Sequence, residues 1–148
     1  MARLPRSALP DGCFHVYVRG VAGSCAFPED TDRTALMTLL PALEWRYDLT
    51  LHAACVMSTH YHLVVDAACA ALSKAMHWLN WCYARYFNEK YGRFGHVFAE
   101  RFSTRVIGGE DRVFETCAYV LLNPVKAGLC DRAEDWPWSY SRYGLDVT

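Results

Sequence analysis

Two histidines one residue apart, His60-Tyr61-His62, are the first feature of this chain with chemical potential. On a strand, residues i and i+2 project from one face, so the two imidazoles would stand side by side and could share a divalent ion. A lone His-x-His is a weak signal, and a structural pair explains it at least as well. A second pair lies far downstream, in Ala118-Tyr119-Val120-Leu121-Leu122-Asn123-Pro124. Tyr119 and Asn123 are four apart and share a face if the segment is helical. Tyrosine is a poor nucleophile at neutral pH because its hydroxyl ionises near pH ~10. It attacks a phosphodiester where the phosphorus is made more electrophilic and the leaving 3′-oxygen is stabilised. An ion clamped by two histidines supplies both effects, and the Asn123 carbonyl oxygen, one turn from the nucleophile, is a candidate third ligand. Taken alone, Tyr119 and Asn123 read more simply as a core aromatic and a helix cap.

The run Asn80-Trp81-Cys82-Tyr83-Ala84-Arg85-Tyr86-Phe87-Asn88-Glu89-Lys90-Tyr91-Gly92-Arg93 interleaves cations with rings. That pattern suits single-stranded nucleic acid: Arg and Lys take phosphates, and exposed rings stack on unpaired bases at roughly 1–3 kcal/mol per base. The plainer alternative is a helix with its rings in the core and its arginines in solvent. His15, His52, His77 and His96 have no paired spacing and read as structural.

These residues need a scaffold. A chain of 148 residues suits one domain, spanning 1–148, with a sizeable core. The net charge of −1 hides a basic middle: Lys74, Arg85, Lys90, Arg93, Arg101 and Arg105 face only Glu89 and Glu100 between Leu72 and Arg105. Local field, not total charge, governs binding. Cysteines at 13, 25, 55, 69, 82, 117 and 130 form no CxxC pair, which argues against a zinc ribbon or a disulfide framework and for buried free thiols in a reducing cytoplasm. Arg3 and Arg6 precede no apolar segment of a signal peptide, and no apolar run is long enough to span a bilayer, so no membrane partner is expected.

Residues 13–19 alternate as a first strand, with a turn at Gly20 to Gly23. Glu29 to Asp32 opens a helix reaching about Tyr47, with Pro41 as a potential kink. Residues 49–57 and 60–66 read as a hairpin of two strands. The longest helix, 70–91, carries the stripe Leu72, Met76, Leu79, Tyr83 and Tyr86 or Phe87. Residues 96–107 read as extended, and a last helix runs from Glu110 to about Leu122 before Asn123-Pro124, with Gly128 as a stop. The aromatic tail Trp136-Pro137-Trp138-Ser139-Tyr140 is expected to dock on the domain. The order is β-α-β-β-α-β-α, an α+β class.

Together these elements resemble the HUH single-tyrosine transposases, specifically the REP-associated tyrosine transposase branch related to insertion-sequence transposases. The resemblance is carried by residues 56–65, 83–88, 95–102 and 119–129 and the closing 135–140, and it extends from His15-Val16-Tyr17-Val18-Arg19-Gly20 onward. It implies a ferredoxin-like HUH fold, an antiparallel sheet flanked by helices. His60 and His62 match the metal pair, with Tyr61 as the hydrophobic residue between them. Tyr119 matches the nucleophile, and Asn123 occupies the position of a polar metal ligand. The implied reaction is transesterification of single-stranded DNA beside a palindromic hairpin, through a 5′-phosphotyrosine, with Mg2+ or Mn2+ and without ATP. Arg19, Lys74, Arg85, Arg93, Arg101, Arg105 and Lys126 are the expected DNA contacts, and the protein is expected to act as a monomer or homodimer. The chain departs from the family pattern at Ala99-Glu100, where Gln is frequent, and at Leu121, where His is usual. Two other readings compete: a hairpin-DNA-binding module of the same fold that does not cut, and an unrelated metal-dependent phosphoesterase that uses a water nucleophile.

Overall fold

The computed structural model describes residues 12–99 and 102–147. Its strands are β1 (Gly12–Arg19), β2 (Thr50–Val56), β3 (His60–Ala67), β4 (Ser103–Ile107) and β5 (Ser139–Ser141). Its helices are α1 (Asp30–Tyr47), α2 (Cys69–Tyr91), α3 (Glu110–Leu121) and α4 (Asn123–Lys126). The strands form one sheet in the order β4-β1-β3-β2-β5, with every neighbouring pair antiparallel. The fold is therefore the expected α+β class, an antiparallel sheet flanked by helices.

Strand alternation divides the sheet into two faces. Phe14, Val16, Val18, Leu51, Ala54, Val56, Tyr61, Leu63 and Val65 point to the face covered by α1 and α2, where they meet Leu36, Leu40, Leu43, Leu72, Met76, Leu79, Tyr83 and Phe87. The α2 stripe resolves in favour of Phe87: Tyr86 is only partly buried, and its hydroxyl donates to Asp32. The opposite face is thinner. Ala53, Cys55, Met57 and Val64 are covered there by Cys117 and Val120 of α3 and by Trp136.

α1 begins where Glu29 and Asp32 form a reciprocal capping box. Asp32, fully buried, then accepts hydrogen bonds from Tyr86, Lys90 and Tyr91 at the far end of α2. Burial pushes its carboxyl upward, but the Lys90, Tyr91 and Tyr86 hydrogen bonds outweigh this and hold it below the ordinary range. α1 runs without interruption through Pro41, which lies on the exposed side.

The extended reading of 96–107 holds as a ladder only over Ser103–Ile107; upstream, Phe98 makes a single bridge to Gly20. Around that bridge, Val97 accepts from the Val21 N–H and the Ala99 N–H donates to the Arg19 carbonyl. The last helix is two: α3 ends at Leu121, and Asn123-Pro124 opens the separate turn of α4. The aromatic tail docks as expected. Trp136 donates its ring N–H to the Val56 carbonyl at 3.0 Å, and the tail then adds β5 beside β2, a strand absent from the sequence reading. All seven cysteines are free thiols, but only Cys55 and Cys117 are buried and Cys25 is exposed. Among the described residues no helix is long and apolar enough to cross a membrane.

Candidate active site

The hairpin of β2 and β3 presents His60 and His62 on the thin face, while Tyr61 turns the other way. Tyr61 is fully buried, and its hydroxyl donates to Asn80 Oδ1 of α2 at 2.5 Å, so this residue locks the strand to the helix layer. The two histidine rings stand perpendicular, at 88°, with centroids 5.1 Å apart. His60 Nδ1 lies 3.1 Å from Thr59 Oγ1, and His62 Nδ1 lies 2.9 Å from His15 Nε2. Both Nδ1 atoms are thus engaged, which leaves the two Nε2 atoms for a ligand.

His15 is the residue that sequence reasoning missed. Its strand register (His15 opposite Val64, Tyr17 opposite His62) sets it diagonally beside His62. Tyr17 completes a ring platform, with its centroid 5.2 Å from His60 and 5.0 Å from His62. Nothing within residues 13–19 announces this, because cross-strand register is set by two segments together. The only signal was the i, i+2 alternation of His15 and Tyr17.

Burial lowers all three imidazoles. His62, 5% exposed, is pulled down to about 3 by burial first and then by the charges of His15 and His60. Burial alone lowers His60, and burial with Arg105 lowers His15. The group is neutral at physiological pH, the state in which imidazole donates a lone pair to a cation.

α3 crosses this face and brings Tyr119 over the histidines. The Tyr119 ring centroid lies 6.3 Å from His62 and 6.0 Å from His15, and the residue remains 49% exposed. A half-open tyrosine above a neutral histidine pair leaves its hydroxyl accessible to a large substrate. Lys126 of α4 sets its ammonium 4.8 Å from the Tyr119 ring centroid. Asn123 stays one turn from Tyr119 despite the helix break, and its amide nitrogen donates to the Tyr119 carbonyl at 3.2 Å. That commitment leaves Oδ1 as the end available to a cation. Among the described residues no three His, Cys, Asp or Glu side chains gather to hold a metal. Two imidazoles and one amide oxygen, the donors expected from the sequence, would suit a labile, oxygen-preferring divalent ion better than structural zinc.

β4, β1 and α3 enclose a cleft of about 600 Å³ beside these residues, lined by His15, Tyr17, His62, Arg105, Arg112 and Tyr119 among others. Arg112 was also missed; it lies one and two turns before Thr116 and Tyr119 on the helix that walls the cleft.

The seven expected DNA-contacting cations do not form one patch. Arg105 lines the cleft, Lys126 lies over the Tyr119 ring, and Arg19 is exposed opposite His60 in register. Lys74, Arg85 and Arg93 belong to α2 and its end, on the other side of the sheet. There Arg85 stacks over Trp81, itself 53% exposed, and Arg93 lies over Phe87. Arg101 lies outside the described residues.

The model of the IS200-like transposase family matches residues 25–121, a span that includes His60, His62 and Tyr119 but not His15 or Asn123. No curated protein matches the chain. Among solved structures, the chain is similar to a REP-associated tyrosine transposase bound to a REP hairpin, with TM-score 0.72 and 18% identity over 94% of this chain and 82% of that one. It is also similar to a protein of Deinococcus radiodurans R1 provisionally described as a transposase, with TM-score 0.51 and 16% identity over 78% of this chain and 93% of that one. With the matched span covering well over half of its length and both histidines and the tyrosine inside it, the chain belongs to the IS200-like transposase family.

Proposed function

We propose that the protein cuts and rejoins single-stranded DNA beside hairpin repeats, with Tyr119 as nucleophile and His60, His62 and Asn123 as metal ligands. The observation that carries this reading is the placement of a half-exposed tyrosine 6.3 Å, centroid to centroid, from a buried, neutral histidine on the opposite wall of a cleft. A divalent ion, Mg2+ or Mn2+, would supply positive charge to the phosphate oxygens at this point. Tyr119 Oη gives up its proton to solvent and bonds to phosphorus. The P–O3′ bond breaks, and the leaving oxygen takes up a proton as a free 3′-OH. The DNA stays attached as a 5′-phosphotyrosine, and attack by another 3′-OH reverses the step, conserving bond energy without ATP. Arg105 and Arg112 hold phosphates in the cleft, Lys126 beside Tyr119 and Arg19 beside His60 extend the path, and Arg85 with Trp81 offers a stacking site on the far face for unpaired bases. A hairpin partner is supported by the hairpin bound to the similar REP-associated transposase.

The test is a denaturing gel of labelled single-stranded hairpin DNA from around the protein's own gene, incubated with Mn2+ and either the wild type or Tyr119→Phe. A covalent adduct with the wild type alone supports the reading. Tight binding by both proteins without an adduct, across a panel of hairpins, replaces it with a binding module. Undiminished cleavage by Tyr119→Phe removes Tyr119 as nucleophile.

A further inference from the structure

We propose that His15 is a positioning residue: it accepts a hydrogen bond from His62 Nδ1 and so holds His62 in the tautomer whose Nε2 lone pair is free for the ion. The inference rests on the reading of His60 and His62 as metal ligands. His15 Nε2 and His62 Nδ1 are 2.9 Å apart, and the rings stack at 24° with centroids 5.1 Å apart. Two ring nitrogens at that separation share one proton, so one must donate and the other accept. A neutral imidazole carries a single N–H. If His15 donates, the His62 proton sits on Nε2 and occupies the lone pair an ion would need. If His62 donates, its Nε2 is bare. Only the second arrangement is compatible with a bound ion, so ion binding and acceptance by His15 reinforce each other.

The two histidines of the pair are supported differently. His60 has its Nδ1 partner in the adjacent Thr59, within its own strand connection. The partner of His62 arrives from 47 residues upstream and depends on the pairing of β1 with β3. A neutral imidazole is also a softer acceptor than the carboxylate or carbonyl often found behind a metal-binding histidine. It orients the ring without adding negative charge, which keeps the ion exchangeable.

The experiment compares wild type, His62→Ala, His15→Leu and His15→Gln. Leu fills the site without an acceptor, and Gln returns a carbonyl oxygen. Mn2+ affinity is read from the electron paramagnetic resonance of free Mn2+. The His62 tautomer is read, without metal, from long-range nitrogen–proton NMR spectra. His15→Leu is expected to weaken Mn2+ binding by about 10–100-fold and to move the His62 proton towards Nε2, while His15→Gln recovers most of the affinity. If His62→Ala abolishes Mn2+ binding but folded His15→Leu binds like wild type, the positioning role is overturned and the metal reading stands. If wild type binds no Mn2+ in a His62-dependent way, the metal reading fails and this inference with it. Should His15→Leu fail to fold, the wild-type spectrum decides: a His62 proton on Nε2 in the metal-free wild type overturns the proposal.

Discussion

Lowering the pH from 7 to 5 should destabilise the ion-free protein through His62. The side chain is 5% exposed, and burial, then His15 and His60, lowers it to about 3. In the unfolded chain it titrates near the ordinary value of about 6.5. Below that pH the unfolded state takes up a proton that the folded state refuses. Stability therefore falls with acidification, over a window from the unfolded value down to about 3. pH 5 lies roughly 1.5 units into that window, and at about 1.36 kcal/mol per unit the loss from His62 is about 2 kcal/mol. The depressed carboxyl of Asp32 acts below its unfolded value of about 4 and does not enter this range. His15, His60 and His52 are also lowered by burial and tilt the curve in the same sense. The informative quantity is thus the difference between wild type and His62→Gln, measured by urea unfolding at stepped pH in the presence of chelator. Wild type should lose about 2 kcal/mol more than the variant between pH 7 and 5. Parallel curves would refute the argument that His62 is held neutral by its surroundings.

Asp32→Ala should cost about 1–3 kcal/mol in urea unfolding, because it removes the buried acceptor of Lys90, Tyr86 and Tyr91, of which Lys90 and Tyr91 keep Glu29 as a partner; a loss under about 0.5 kcal/mol would show that the cluster adds no stability. Trp136→Phe deletes the buried N–H bond to the Val56 carbonyl and should cost about 1–3 kcal/mol, read from the same transition. Arg112→Gln and Arg105→Gln should each flatten the salt dependence of single-stranded DNA binding by about one unit of slope, and an unchanged slope removes that residue from the phosphate path.

Much of the scaffold was readable because each element carries its own period. The alternation of His60 to Val65 marked β3, and the spacing of Leu72, Met76, Leu79 and Tyr83 marked α2, within a residue or two of their ends. The pair His60 and His62 was legible for the same reason, since a single strand determines that they share a face. Features that depend on two segments were not. His15 reaches His62 only through the register of β1 against β3. β5 is three residues long, too short for any alternation to register, and exists because β2 offers it an edge. The cations between Lys74 and Arg105 form one basic stretch along the chain, yet α2 carries Lys74 and Arg85 on one side of the sheet while Arg105 of β4 lines the cleft on the other.

The strand order also dictates a sequence of assembly. β2 and β3 are joined by a tight connection and pair locally, whereas the outer strands close long loops: Ser103 of β4 pairs with Tyr17, and Ser139 of β5 with Cys55. Pairings that enclose long stretches of chain bear the larger entropic penalty and form late. The inner strands β1, β2 and β3, which carry every histidine of the cleft, precede α2 or border it, while Tyr119 lies between the two late strands. During synthesis the strands that carry the histidines therefore emerge before Tyr119, and a chain that stops early lacks the nucleophile proposed above.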